Sequence, residues 1–291
     1  MASASGTSRA QIRRQAEHQS FLRYGGYRWL KIGLGLVLLA VLGFIFIPAA
    51  PGPYGGTWFG YTLGTTGALL ILWLSVLGIR KRAMTRGNWS LKAWTSAHVW
   101  LGLSLIVVAT LHTGLRFGWN LATLAWTLMI LVILSGVYGI STYAALPASL
   151  SRKTDEQTQP EMVEGLRAID RQLLEAAQPL PTSEADWVRA AMAQDPFRAS
   201  LGQRLSGHVR NCATLQALAA LETAPAAAGA GAAEVARVRS LLGRRRAQLD
   251  RMRRQMRLRA LLEVWLYIHI PLTVALLAAL TAHIVSVFYY W

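Results

Sequence analysis

Residues 98–112 read HVWLGLSLIVVATLH, and residues 269–283 read HIPLTVALLAALTAH. Each is an apolar run with a histidine at both ends, and the interval of fourteen residues is the same in both. An ionisable side chain inside an apolar helix is costly and marks a functional position more often than a packing one. A fourteen-residue step at about 100° per residue falls roughly 40° short of whole turns, so the two imidazoles of each helix share a face. Their axial separation is about 21 Å, inside a hydrocarbon layer of about 30 Å. The runs are centred near Leu105 and Leu276, which puts one imidazole of each helix in each leaflet.

The rest of the composition agrees with a membrane setting. Of 291 residues, 53% are hydrophobic and only 15% charged. The acidic residues other than Glu17 and Glu263 all fall within 148–260, so charged sequence is segregated from apolar sequence. A net charge of +16 would suit a nucleic-acid binder. Its distribution over the N-terminal arm, the stretch RKRAMTRGNWSLK (80–92) and the segment before the last apolar run fits membrane flanks better. No nucleic-acid partner is expected. Cys212 is the single cysteine, which excludes an internal disulfide, a cysteine-ligated cluster and a CxxCH attachment. It reads as a small buried residue.

Five runs are long enough to span a bilayer: Trp29–Ile47, Trp58–Ile79, Trp94–Leu115, Leu121–Ile140 and Leu261–Tyr290. A signal peptide competes for the first, but the polar arm before it is too long for an n-region, and an uncleaved helix is expected. The arm carries Arg9, Arg13, Arg14, Arg23, Arg28 and Lys31, and the loop after the second span Arg80, Lys81, Arg82, Arg86 and Lys92. The loops after the first and third spans hold only Arg116. The positive-inside rule then places the N-terminus in the cytoplasm and the C-terminus outside. The organisation expected is a basic arm (1–28), a first span (29–47), three further spans (58–140), a helical cytoplasmic insertion (148–260) and a fifth span (261–291). The fold class is an all-α integral membrane protein, a bundle of five transmembrane helices holding two haems.

Within the insertion, EMVEGLRAIDRQLLEAA and the arginine-rich stretch 232–265 have helical apolar spacing, separated by the flexible break TAPAAAGAGAAE. The basic stretch should run into the fifth span as one helix. Its arginines suit an anionic lipid surface or, second, an acidic partner.

On this topology the third and fifth spans are parallel, so His98 pairs with His269 near the cytoplasm and His112 with His283 near the outer face. His18 and His208 read as ordinary residues. Two matched pairs, one above the other, suit two b-type haem groups with the four histidines as axial ligands to iron. Gly102 and Gly114 would let a flat macrocycle approach the third helix. Arg116 and Lys92 stand at levels suited to propionates. Pro271 leaves the Tyr267 carbonyl without its helix partner, which an imidazole N–H or a simple kink would accommodate.

The H-x13-H repeat on two parallel helices resembles the dihaem b-type cytochromes. It is similar to the haem core of the quinol-oxidising cytochrome b/b6 family and to the ferric reductase-like transmembrane domain. The resemblance covers about 58–140 and 261–290. It implies an electron-transfer subunit of an oxidoreductase complex, with two haem b, a quinone as donor or acceptor, and redox partner subunits on one or both faces. The location implied is a bacterial cytoplasmic membrane. No flavin- or nicotinamide-binding domain, dinucleotide loop or quinol-oxidation signature accompanies the repeat, and the insertion is foreign to both patterns, so partners are expected to supply the chemistry at either end. Two other readings compete: a transporter whose histidines relay protons or bind a transition metal, and a membrane anchor that organises a larger complex.

Overall fold

A computed structural model describes residues 21–47, 55–83, 90–144, 159–195, 197–198, 200–207, 212–223 and 230–289. Among these residues the secondary structure is helical, with no strand. A 3-10 turn at Phe21–Arg23 leads into α1 (Tyr24–Phe46), followed by α2 (Trp58–Ala83), α3 (Leu91–His112) and α4 (Leu121–Ala144). Then come α5 (Gln159–Ala177), α6 (Thr182–Ala193), α7 (Leu201–Ser206), α8 (Ala213–Thr223) and α9 (Ala230–Tyr289). Five helices are long and apolar enough to cross a membrane, as the apolar runs require. The arm up to residue 20, the Arg86 loop position, His18 and His208 lie outside the described residues.

The chain forms two compact units, Met1–Val137 with Tyr267–Trp291, and Tyr138–Leu266. In the first, α3 is the most enclosed helix and packs chiefly on α1 and α2. One apolar cluster joins Ile71 and Leu74 of α2, Ala97, Leu101 and Leu105 of α3, Met129 of α4 and Leu276 of α9. A second joins Ala40, Leu63 and Val108. Meanwhile Leu38, Leu39, Ile45, Leu69, Leu131, Leu134 and Val274 point their side chains outward. Apolar residues on both the inner and outer sides of a helix bundle are what a lipid solvent permits and water does not. Small residues set the closest approach: a Cβ on Gly33 would lie 3.1 Å from the Trp100 carbonyl oxygen.

Helix ends follow local chemistry. Ser90 caps α3, its Oγ accepting from the Ala93 amide at 3.2 Å. The helix stops at His112, three residues short of the apolar run, because Gly114 and Leu115 take left-handed backbone with φ 60° and 61°. At the start of α1, Gly25, Gly26 and Tyr27 are left-handed as well, so the regular span begins after them. The Trp100 indole N–H ties this turn to α3 by donating to the Leu22 carbonyl at 3.1 Å.

In the second unit, one face of α9 supplies the core. Val238, Leu241, Leu242, Leu249 and Met252 recur at three- and four-residue steps and are buried against α5, α6 and α8. Arg245 lies on that stripe, only 1% exposed. Its Nε donates to Asp170 at 2.7 Å and its Nη1 to the Thr214 hydroxyl at 2.6 Å, so one guanidinium joins three helices. Cys212 is buried, as expected of a lone cysteine here. Burial pushes its thiol up, but the Arg253 guanidinium at 3.3 Å and amides at the start of α8 outweigh this and hold it below its ordinary value. The basic stretch and the fifth apolar run form the single helix α9, which continues through Pro271.

Candidate functional site

The four membrane-level histidines are half-buried, His98 and His112 on α3 and His269 and His283 on α9. His112 faces His283 with ring centres 6.2 Å apart and planes at 74°. The outer two rings, 112 and 283, are thus neighbours, and His98 and His269 lie fourteen residues earlier on the same two helices. Leu105 and Leu276, midway along the two helices, are each 3% exposed and fill the space between the pairs.

Three of the imidazoles have their Nδ1 committed. His98 Nδ1 lies 3.1 Å from the Leu74 carbonyl oxygen and His112 Nδ1 lies 2.7 Å from that of Gly60. A carbonyl only accepts, so both rings carry their proton on Nδ1. His269 Nδ1 lies 2.7 Å from Ser135 Oγ. The Ser135 hydroxyl also donates to the Val132 carbonyl at 2.7 Å, which leaves its lone pairs for a ring Nδ1–H. Neutral rings protonated at Nδ1 expose an Nε2 lone pair, the form in which histidine ligates a metal, and the Nδ1 bond fixes ring orientation.

The four side chains are of the donor type that b-type haem takes, two on each of two helices, and the outer two come within 6.2 Å of each other, centre to centre. Among the described residues no three His, Cys, Asp or Glu side chains gather into one site.

Gly102 lies 4.0 Å (from its notional Cβ) from Leu74 Cδ1, against a neighbouring helix. Gly114 belongs to the turn that ends α3, and Arg116 is exposed beyond it. The glycines that meet His112 are Gly64 on α2, where a Cβ would stand 2.6 Å from Cε1, and Gly55, where it would stand 3.4 Å from the same atom. Gly136 on α4 meets His269 Cε1 at an ordinary 3.7 Å. The Tyr267 carbonyl freed by Pro271 is not the imidazole's acceptor, since His269 turns to Ser135. At the His98 level, Trp73 stacks on Trp94 with centres 4.6 Å apart, and Trp29 lies 6.4 Å from Trp73. These rings hold α1, α2 and α3 together one turn from His98 and beside the Leu74 carbonyl. Trp126 on α4 donates to Thr110 on α3 at 3.1 Å, two residues before the outer histidine.

Gly64→Ala and Gly136→Ala should therefore differ. The His112 ring is pinned by Gly60, so the new methyl at 64 cannot be relieved by a free swing, and overpacking of this kind costs about 1–3 kcal/mol. The expected result is partial loss of whatever the outer pair holds, while Gly136→Ala leaves the inner pair occupied; occupancy is read from the absorbance of the purified variants. No family model matches the sequence, and comparison with curated proteins and with solved structures found no match.

Proposed function

We propose that the chain is a dihaem cytochrome b membrane subunit that passes electrons between the quinone pool and partner redox proteins. The observation that supports this is a histidine on α3 and one on α9 at each of two levels, with the outer rings 6.2 Å apart and the Nδ1 atoms of His98, His112 and His269 each at hydrogen-bond distance from an oxygen. His98 with His269 would hold the inner haem, and His112 with His283 the outer. Haem supplies one-electron exchange between ferric and ferrous iron. The protein's part would be to hold each haem with two imidazoles, which favours electron transfer over oxygen binding, while Leu105, Leu276 and their neighbours keep water out. Electrons then enter and leave through partners at the two faces. The membrane is the cytoplasmic membrane of a bacterium, with the N-terminus inside, and 148–260 faces the cytoplasm.

A dithionite-reduced minus oxidised spectrum of membranes containing the chain tests this. Sharp b-type α and Soret bands absent from control membranes are expected, together with their appearance on adding a quinol. A colourless protein that moves protons or metal ions would instead support the transporter reading. Full turnover of a host complex containing a haem-free variant would support the anchor reading.

A further inference from the structure

We propose that Ser135 is a positioning residue that sets the redox poise of the inner histidine pair through His269; this rests on the two-haem reading. Of the three Nδ1 acceptors, those for His98 and His112 are backbone carbonyls on α2, which side-chain substitution cannot remove. The acceptor for His269 is a side chain, and it comes from α4. With His269 holding the metal through Nε2, its Nδ1 carries the proton, and the chain runs from His269 Nδ1–H to Ser135 Oγ–H to the Val132 carbonyl. Consecutive hydrogen bonds of this sort polarise one another.

The consequence is electronic as well as positional. An Nδ1–H drawn towards an acceptor gives the ring more imidazolate character and makes Nε2 more basic. A more basic ligand favours the ferric over the ferrous ion. Ser135 therefore holds the inner site at a lower potential than the same two histidines would have without it. The outer site shares none of these atoms and should not respond.

The test is a potentiometric titration of the purified chain in detergent or nanodiscs, following the α band. The inner component is the one lost in His98→Ala and the outer the one lost in His112→Ala. Ser135→Ala should move the inner midpoint upward, by a several-fold change in the ferric to ferrous ratio at fixed potential, and leave the outer in place. Ser135→Thr keeps the hydroxyl and should restore the inner value. Should Ser135→Ala lose the inner haem, Ser135→Cys carries the test, since a thiol is of similar size but a weaker acceptor, and the same rise is expected. Bound haems with unmoved midpoints, or a shift of the outer component, overturn the role of Ser135 alone. A wild-type chain that binds no haem overturns the two-haem reading itself.

Discussion

His112→Ala should yield a protein that folds, stays in the membrane and carries one haem in place of two. The substitution deletes one of the two rings whose centres are 6.2 Å apart and leaves His283 without its partner. It also removes the donor to the Gly60 carbonyl, which then faces the vacated space. The inner pair is about 21 Å away along the same helices and takes its acceptors from Leu74 and Ser135, so it shares no ligand with the outer pair. The expected absorbance is about half that of the wild type per chain, a twofold change that follows from one site in two being lost. Size-exclusion chromatography of the detergent-solubilised protein checks that the fold survives. Loss of both haems, or retention of both, contradicts the pairing.

The second large effect lies far from the histidines in sequence. Arg245→Ala should destabilise 138–266 by about 3–5 kcal/mol, the usual result of breaking one side of a buried ion pair. Asp170 keeps 25% of its side chain exposed and can recover some water, which places the expected value in the lower part of that range. Thr214 loses its donor as well, and the wide guanidinium leaves a void between α5, α8 and α9. Arg245→Lys keeps the charge but cannot reach two acceptors in different directions, so an intermediate loss is expected. Amide hydrogen exchange is the measurement: exchange in α5 and α8 should speed up markedly in the alanine variant and modestly in the lysine one. Haem content should stay at the wild-type level, because Arg245 touches none of the four ligands.

Arg245 also shows where sequence reading stops short. The stretch 244–259 reads as a basic surface, and most of its arginines are indeed exposed. Yet position 245 continues the three- and four-residue steps of Val238, Leu241, Leu242, Leu249 and Met252, and the fold buries it with them. The periodicity carried that information; the charge masked it. The apolar spans were legible because length and hydropathy alone specify a helix in lipid. Their ends were less so: the third run looks apolar to Leu115, but left-handed backbone at Gly114 and Leu115 ends the helix at His112. The approach of His112 to His283 follows the one interval repeated on two helices. What holds the rings was not legible. Backbone carbonyls of Gly60 and Leu74 leave no mark in a sequence, and Ser135 is one hydroxyl among many until α4 brings it to His269. Gly64 was hidden in the same way, among the other small residues of α2.

The claim that two haems are held by four histidines is tested most directly by a pyridine haemochrome assay on the purified chain, with protein quantified by amino-acid analysis. The account predicts two b-type haems per chain, and none in a variant with His98, His112, His269 and His283 all replaced by alanine. A wild-type protein with no haem, or a quadruple variant that still carries its haem, would contradict it.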